Sequence, residues 1–350
     1  MKEQLYFNSK DNSELTDRIF ELINNAKECI KTGNFFFKDQ QINEALLKAA
    51  SRGVAVFVLS NINSLKGGEL RGIKSNGTKV ETDPHIGWLH QLQRNGVHVR
   101  LCNDLHAKFI ISDNNEGLIM SANYANDSLR NNPEDGVDII GNELKDLRLI
   151  FDTIYLHPDT ILLEENSEYR YINKHIPVPA KAFDNVGKIS RLILTAHSHK
   201  NSNLRECNYL SIYNTLVRMV TESEEFITIV SWSYNQVAKL PNLRNAIRNA
   251  LKRGVKVKLY YSQKGEDKKI EQTKRAIADL VGIEQSEIVS QEMSDNHAKC
   301  IITEKAGAMF TANIDGFIGL LNGFELGCIL TEEQRKNAII KINNIIENGK

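Results

Sequence analysis

Twice in this chain a histidine and a lysine, two positions apart, stand at the head of an apolar run: Leu105-His106-Ala107-Lys108-Phe109-Ile110-Ile111-Ser112-Asp113, and Asn296-His297-Ala298-Lys299-Cys300-Ile301-Ile302-Thr303-Glu304. Side chains alternate between faces along a strand, so if each run is a strand its His and Lys leave the same face and share one pocket. The echo continues downstream. Ser121-Ala122-Asn123 follows the first pair and Thr311-Ala312-Asn313 the second, and Glu134 and Glu325 each lie 28 positions past their own His. A single His-x-Lys carries little weight. Four residue types recurring in one order at nearly one spacing imply a duplicated unit.

The flanking sequence repeats as well. Leu15, Ile19, Phe20, Leu22 and Ile23 recur at helical spacing, which predicts a helix over 13–26 with Ser13 as its N-cap. A strand over 29–37, a helix over 41–50 and a strand over 54–60 follow, the last reached through Gly53. The second half offers a helix over 211–221, a strand over 226–232, a helix over 243–252 and a strand over 255–261, and Arg253-Gly254-Val255 stands where Arg52-Gly53-Val54 stands in the first. Closing helices are expected over 143–155 and 332–347. Strand-helix-strand order implies parallel pairing, so the expected fold class is α/β: two tandem lobes, each a mixed, mostly parallel sheet flanked by helices, related by a pseudo-twofold axis. The expected boundaries are 1–157 for the N-terminal lobe, 158–208 for a linker without clear period that holds Pro158, Pro177 and Pro179, and 209–350 for the C-terminal lobe. Some strand character shows in 191–195.

The double set resembles the phospholipase D superfamily, whose signature is His-x-Lys, an Asp after four further residues, a small-x-Asn step and a Glu. The resemblance covers both halves of the chain. Two departures are visible: Asp113 is the expected acid in the first copy but Glu304 replaces it in the second, and His106 is one residue further from Asn123 than His297 is from Asn313. The acid is less central to the family than the His and Lys, so little of the chemistry is put in doubt. The resemblance implies two phospholipase D-like lobes, with Glu134 and Glu325 each accepting a hydrogen bond from its own His. It also implies His106 as nucleophile, giving a phosphohistidine, and His297 as acid.

The residue types suit a phosphodiester held between the copies. A neutral imidazole can attack phosphorus while a protonated one gives its proton to the leaving oxygen. Lys108 and Lys299 offer positive charge to the equatorial oxygens, and Asn123 and Asn313 offer neutral N–H donors. Asp113 and Glu304 are expected to pin local structure; Ser121 and Thr311 either point a hydroxyl into the pocket or form turns. No cofactor or metal is expected, since neither motif holds the clustered carboxylates of a two-metal site. His197 and His199 lack a third ligand at suitable spacing, and His85, His90 and His98 read as surface or packing residues.

Composition narrows the rest. From the turn glycine to the motif His is 53 residues in the first half and 43 in the second. The surplus falls in 62–84, where four glycines accompany Lys66, Arg71, Lys74 and Lys79; it either folds over a phosphate backbone or forms a lid, or is a plain solvated excursion. With 41% hydrophobic and 25% charged residues the 350-residue chain reads as globular, without the run of about 20 apolar residues a membrane span needs. The N-terminus shows no secretory signal, and five scattered cysteines read as reduced, so a cytoplasmic location is expected. Zero net charge removes one support for a nucleic-acid partner without ruling one out.

Superfamily members cleave phospholipids, join lipid headgroups or cut nucleic acids. Its lipid synthases generally carry N-terminal membrane spans and its secreted phospholipases a signal. This chain shows neither and looks more like the nuclease branch found in bacterial restriction and phage defence. The leading expectation is a metal-independent DNA or RNA phosphodiesterase, competent as a monomer and compatible with a homodimer. The alternatives are a phospholipase or other phosphodiester hydrolase, and a catalytically silent nucleic-acid binder, the last weakened because both motif sets are complete.

Overall fold

The computed structural model describes residues 4–61, 84–157, 160–163, 169–171, 183–198, 204, 207–262, 267–282, 289–293 and 295–348. Lys66, Arg71, Lys74, Lys79 and His199 lie outside the described residues. The first nine strands are β1 (Leu5–Asn8), β2 (Cys29–Asn34), β3 (Ala55–Asn61), β4 (His98–Cys102), β5 (Phe109–Ser112), β6 (Glu116–Met120), β7 (Glu134–Ile139), β8 (Ile161–Leu163) and β9 (Tyr169–Tyr171). They form one sheet in the order β1-β7-β6-β5-β2-β3-β4-β8-β9. A second sheet is built from β10 (Leu192–His197), β11 (Tyr209–Leu210), β12 (Phe226–Val230), β14 (Lys256–Ser262), β15 (Val289–Met293), β16 (Cys300–Thr303), β17 (Gly307–Phe310) and β19 (Gly323–Ile329), in the order β11-β10-β19-β17-β16-β12-β14-β15. β13 (Tyr234–Asn235) and β18 (Ile314–Asp315) pair separately.

The architecture is α/β with two lobes, but the sheets are not mostly parallel as expected. Within the two large sheets of described residues, parallel pairing falls in β2-β3-β4 and β12-β14-β15, where helices lie in the crossovers. The strands that follow each motif run antiparallel: β5 turns back into β6 and β16 into β17 through short connections, and β7 and β19 return after longer segments. The stretch 158–208 is also more than a linker: β8 and β9 extend the first sheet, and β10 pairs along β19 in the second.

Helices α1 (Glu14–Asn25), α2 (Gln40–Ser51) and α3 (Pro84–Arg94) cover the outer face of the first sheet, burying Leu15, Ile19, Leu46 and Ile86. In the second lobe α6 (Ser211–Glu222), α7 (Pro241–Lys252) and α8 (Asp267–Val281) do the same with Leu216, Ile247 and Leu280. A short α4 (Asn126–Arg130) precedes β7; α5 (Gly141–Tyr155) and α9 (Glu332–Asn348) close the lobes. The inner faces share one core, in which Phe109, Ile119 and Phe151 of the first lobe join Met309, Phe324 and Leu326 of the second. Two lobes with one central core are held in a fixed relation by the burial that stabilises each of them.

The duplication reaches the turns. Gly53 and Gly254 adopt φ of +90° and +83°, where a side chain would be strained, and so end α2 and α7. The arginine before each reaches back to the end of a preceding helix: Arg52 Nη2 donates to the carbonyls of Ile23 and Asn24, and Arg253 Nη2 to those of Thr221 and Ser223. The expected cap at Ser13 is corrected, because Ser13 Oγ donates to Asp17 instead. Asn12 Oδ1 accepts from the Glu14 N–H, and Asn8 Oδ1 from those of Leu15 and Thr16. Two asparagines thus satisfy the free N–H groups of the first turn.

Candidate active site

Each His-x-Lys lies just before its strand rather than within it, since β5 begins at Phe109 and β16 at Cys300. The approaching chain is fixed by the other lobe. His106 and Ala107 donate their N–H groups to Phe324 O at 3.0 and 2.9 Å, and His297 and Ala298 donate theirs to Pro133 O at 2.8 Å each. Phe324 and Pro133 immediately precede Glu325 and Glu134. Backbone pairing across the lobes therefore delivers each carboxylate to the opposite lobe's imidazole. His106 Nδ1 lies 2.8 Å from Glu325 Oε1, and His297 Nδ1 lies 2.9 Å from Glu134 Oε1.

This corrects the expectation that each Glu serves its own His. Within its own lobe each Glu is held by the hydroxyl: Ser121 Oγ donates to Glu134 Oε2 and Thr311 Oγ1 to Glu325 Oε2, both at 2.5 Å. Those hydroxyls are engaged with the carboxylates rather than directed at a substrate. Lys108 Nζ donates to His106 O at 2.5 Å and Lys299 Nζ to His297 O at 2.6 Å, so each lysine turns back beside its own histidine. Asn123 and Asn313 follow β6 and β17, and the Oδ1 of each is buried without a hydrogen-bond partner.

Both lysines and both glutamates are buried, while each imidazole keeps an open edge. Burial pulls Lys108 down to about 7 and lowers Lys299, with Glu325 and Glu134 respectively the leading opposing charges. Burial also lowers His106 and brings His297 down to about 4 despite Glu134. Burial alone would raise Glu134 and Glu325, but the histidines they face and the nearby lysines hold both below the usual carboxylate range. Burial thus works against charge on the nitrogens, while the facing groups favour charge on the carboxylates.

Asp113 and Glu304 sit behind this constellation. Asp113 accepts the N–H groups of Lys27, Glu28 and Cys29, and Glu304 those of Glu224 and Phe226 together with the Ser223 hydroxyl. Burial works against ionisation at both, yet backbone N–H groups hold Asp113 low and bring Glu304 to about 2. Asp and Glu perform one task here: fastening the turn that leads into β2 or β12.

Three neighbours escaped the reading of the sequence. Phe35 meets His106 edge-on with ring centroids 5.5 Å apart, and Trp232 lies 6.0 Å from His297. Each aromatic follows the end of a strand, the one signal that marked it. Asp135, next to Glu134, is fully buried, accepts the Lys299 N–H at 3.2 Å, and is pushed up to about 7 by burial. Beside the constellation a cavity of about 330 Å³ opens on the second-lobe side; His106, Asn313 and Glu325 line it together with Trp232, Ser233, Asn235 and Asp315. Among the described residues no three His, Cys, Asp or Glu side chains are grouped to hold a metal ion. No helix among them is long and apolar enough to cross a membrane.

Residues 19–154 match the family model described as cardiolipin synthase, PLD-like domain. No curated protein sequence matches. Among solved structures, phosphatidylserine synthase of Haemophilus influenzae is 15% identical, covering 99% of this chain and 86% of that one with a TM-score of 0.68. The polyphosphate kinase of Porphyromonas gingivalis is 13% identical over 97% of this chain, with a TM-score of 0.60. This chain spans about half the length of that kinase, 49%. A phospholipase D family member, Nuc from Salmonella typhimurium, is 18% identical over 44% of this chain and 95% of that chain, with a TM-score of 0.36.

Residues 19–154 thus carry a PLD-like domain. The two larger likenesses show the fold: two sheets flanked by helices. Both His-x-Lys sets come from one chain and are interleaved, each imidazole leaning on a carboxylate from the other lobe. A carboxylate on Nδ1 fixes the tautomer and leaves Nε2 for chemistry, and buried ammonium groups offer charge to an anion.

Proposed function

We propose that the protein is a phosphodiesterase that cuts nucleic acid without a metal ion, through a phosphohistidine. The crossed His–Glu pairs are the observation that carries this reading, because they build two equivalent nitrogen centres around one cleft. His106 Nε2 attacks phosphorus, the bond to the leaving oxygen breaks, and that oxygen takes a proton from His297. Water then gives a proton to His297 and attacks phosphorus, and the nitrogen–phosphorus bond breaks. Lys108, Lys299, Asn123 and Asn313 stabilise the charged oxygens at both steps.

The electrostatics support the sequence of events. Burial disfavours the protonated forms of Lys108 and His297, which gain from added counter-charge. An anionic phosphate supplies it, favours the protonated form of each nitrogen group, and so brings in the proton that the leaving oxygen needs. Nucleic acid is favoured over lipid by the cavity walls, where an indole stands among amide, hydroxyl and carboxylate groups. Phe317 and Ile318, exposed nearby, favour the second reading, a phospholipid.

The test is to incubate the protein with single- and double-stranded DNA, RNA and phosphatidylcholine vesicles, with and without EDTA. Nucleic-acid cleavage that survives EDTA is expected. Loss of cleavage in EDTA would overturn the mechanism, and cleavage of vesicles alone would overturn the substrate.

A further inference from the structure

The two lobes differ at one position in a way that opens a binding site. Ile30 pairs with Ser112 and Ile227 with Thr303, and Ser112 and Thr303 each stand six residues past their motif His. Counting on from those pairs, Phe35 is equivalent to Trp232, Phe36 to Ser233 and Lys38 to Asn235. In the first lobe the Phe36 ring packs edge-on against His85 of α3, with centroids 5.7 Å apart, and Lys38 Nζ sits 4.6 Å over its face. In the second lobe α8 occupies the position of α3, following β14 as α3 follows β3. Ser233 leaves the equivalent space empty, and Lys269 and Gln272 of α8 look onto it.

We propose that this cavity is a subsite for one unpaired nucleobase next to the scissile phosphate, which makes the substrate a single strand. The inference rests on the nuclease reading above and deepens it. A phenyl-sized side chain is missing between an indole and a polar helix face, and a planar heterocycle fits that description. Trp232 offers a stacking surface. Asn235 and Asp315, joined by a 3.2 Å hydrogen bond, and Gln272 offer donors and acceptors to the edges of a base. Asp315 is fixed in place, since Oδ1 also accepts the N–H groups of Phe317 and Ile318. His106 and Asn313 line the same cavity, so a base lodged there keeps its phosphate beside the motif residues. A duplex cannot place a base in the cavity without breaking its pair.

The experiment compares cleavage of single-stranded oligothymidylate or oligouridylate with cleavage of an abasic oligomer of the same length. The expected result is a kcat/KM about ten-fold or more higher for the oligomer with bases. Ser233→Phe, which restores the first lobe's filling, should bring that ratio toward one. In a Trp88→Phe background, Trp232 emission should be quenched by the oligomer with bases and not by the abasic one. Equal cleavage of both oligomers by the unaltered protein overturns the subsite and leaves the nuclease reading standing. Cleavage of vesicles with neither oligomer cut overturns both. If Ser233→Phe does not fold, Asn235→Ala takes its place, and unchanged Trp232 emission with either oligomer overturns the subsite by itself.

Discussion

Where the first lobe sets Phe36 against His85, the second sets Ser233 beside an open cavity; where Glu134 is followed by a buried Asp135, Glu325 is followed by a buried Leu326. The reacting groups themselves match closely. His, Lys, Asn, the hydroxyl and the crossed Glu recur with pair distances of 2.8 and 2.9 Å at the two imidazoles. Duplication has kept the motif residues and their crossed pairing and let the surroundings diverge. The difference teaches where equivalence ends: the half-sites share machinery and differ in what they hold beside it.

The comparison breaks most visibly at the imidazoles. His106→Ala and His297→Ala should each lower cleavage by about 10³-fold or more, and the double variant should be no slower than the worse single one, as rate measurements on the favoured oligomer will read. A large difference between the two single variants would mark one lobe as dispensable.

Glu325→Gln and Glu134→Gln should each cost about 10²-fold in rate, and they separate crossed from uncrossed pairing. Following each histidine's titration by NMR, Glu325→Gln should lower the His106 pKa further and leave His297 nearly unmoved, with Glu134→Gln doing the reverse. The sign follows from the carboxylates, which favour the protonated imidazoles against burial. Movement of the same-lobe histidine instead would contradict the crossed geometry.

Asp135 sharpens the asymmetry through stability. Its carboxyl, raised by burial from 3.8 to about 7, favours the folded state while protonated, and that contribution is lost as pH rises from the unfolded value through the folded one. Asp135→Asn cannot lose it. Thermal melts of the variant relative to the unaltered protein should therefore improve steadily between about pH 4 and 7 and level off above; a constant offset across that range would show that the group does not titrate in the fold.

The smallest effect is expected where the lobes agree. Arg52→Ala removes three hydrogen bonds to carbonyls at and just past a helix end and Arg253→Ala two, and each should cost about 1 kcal/mol by denaturant unfolding. Unequal losses would show that the repeated turn no longer serves both lobes alike.

Much of this was legible in the chain. The paired motifs gave the duplication, and helical and strand periodicities placed β2, α2, β3 and their second-lobe counterparts to within a few residues. Parallel pairing is over-extended, because strand-helix-strand order speaks only for strands joined by crossovers, and β5, β6 and β7 pair antiparallel, the first two through a tight turn. The strands in 158–208 were hard to see because β8 and β9 have three residues each and carry no pattern of their own.

What the sequence determined by itself is the list of motif residues and the fact that there are two sets, since residue identity and spacing survive in any linear record of a duplication. What only the tertiary structure decided is which carboxylate serves which imidazole. Glu134 stands 28 residues from His106 and touches His297 instead, because hydrogen bonds from the His297 and Ala298 N–H groups to Pro133 O join the lobes at that point. A contact between distant segments leaves no spacing to read. The opening at Ser233 is of the same kind, as a small residue signals a cavity only once the helix and indole around it are in place.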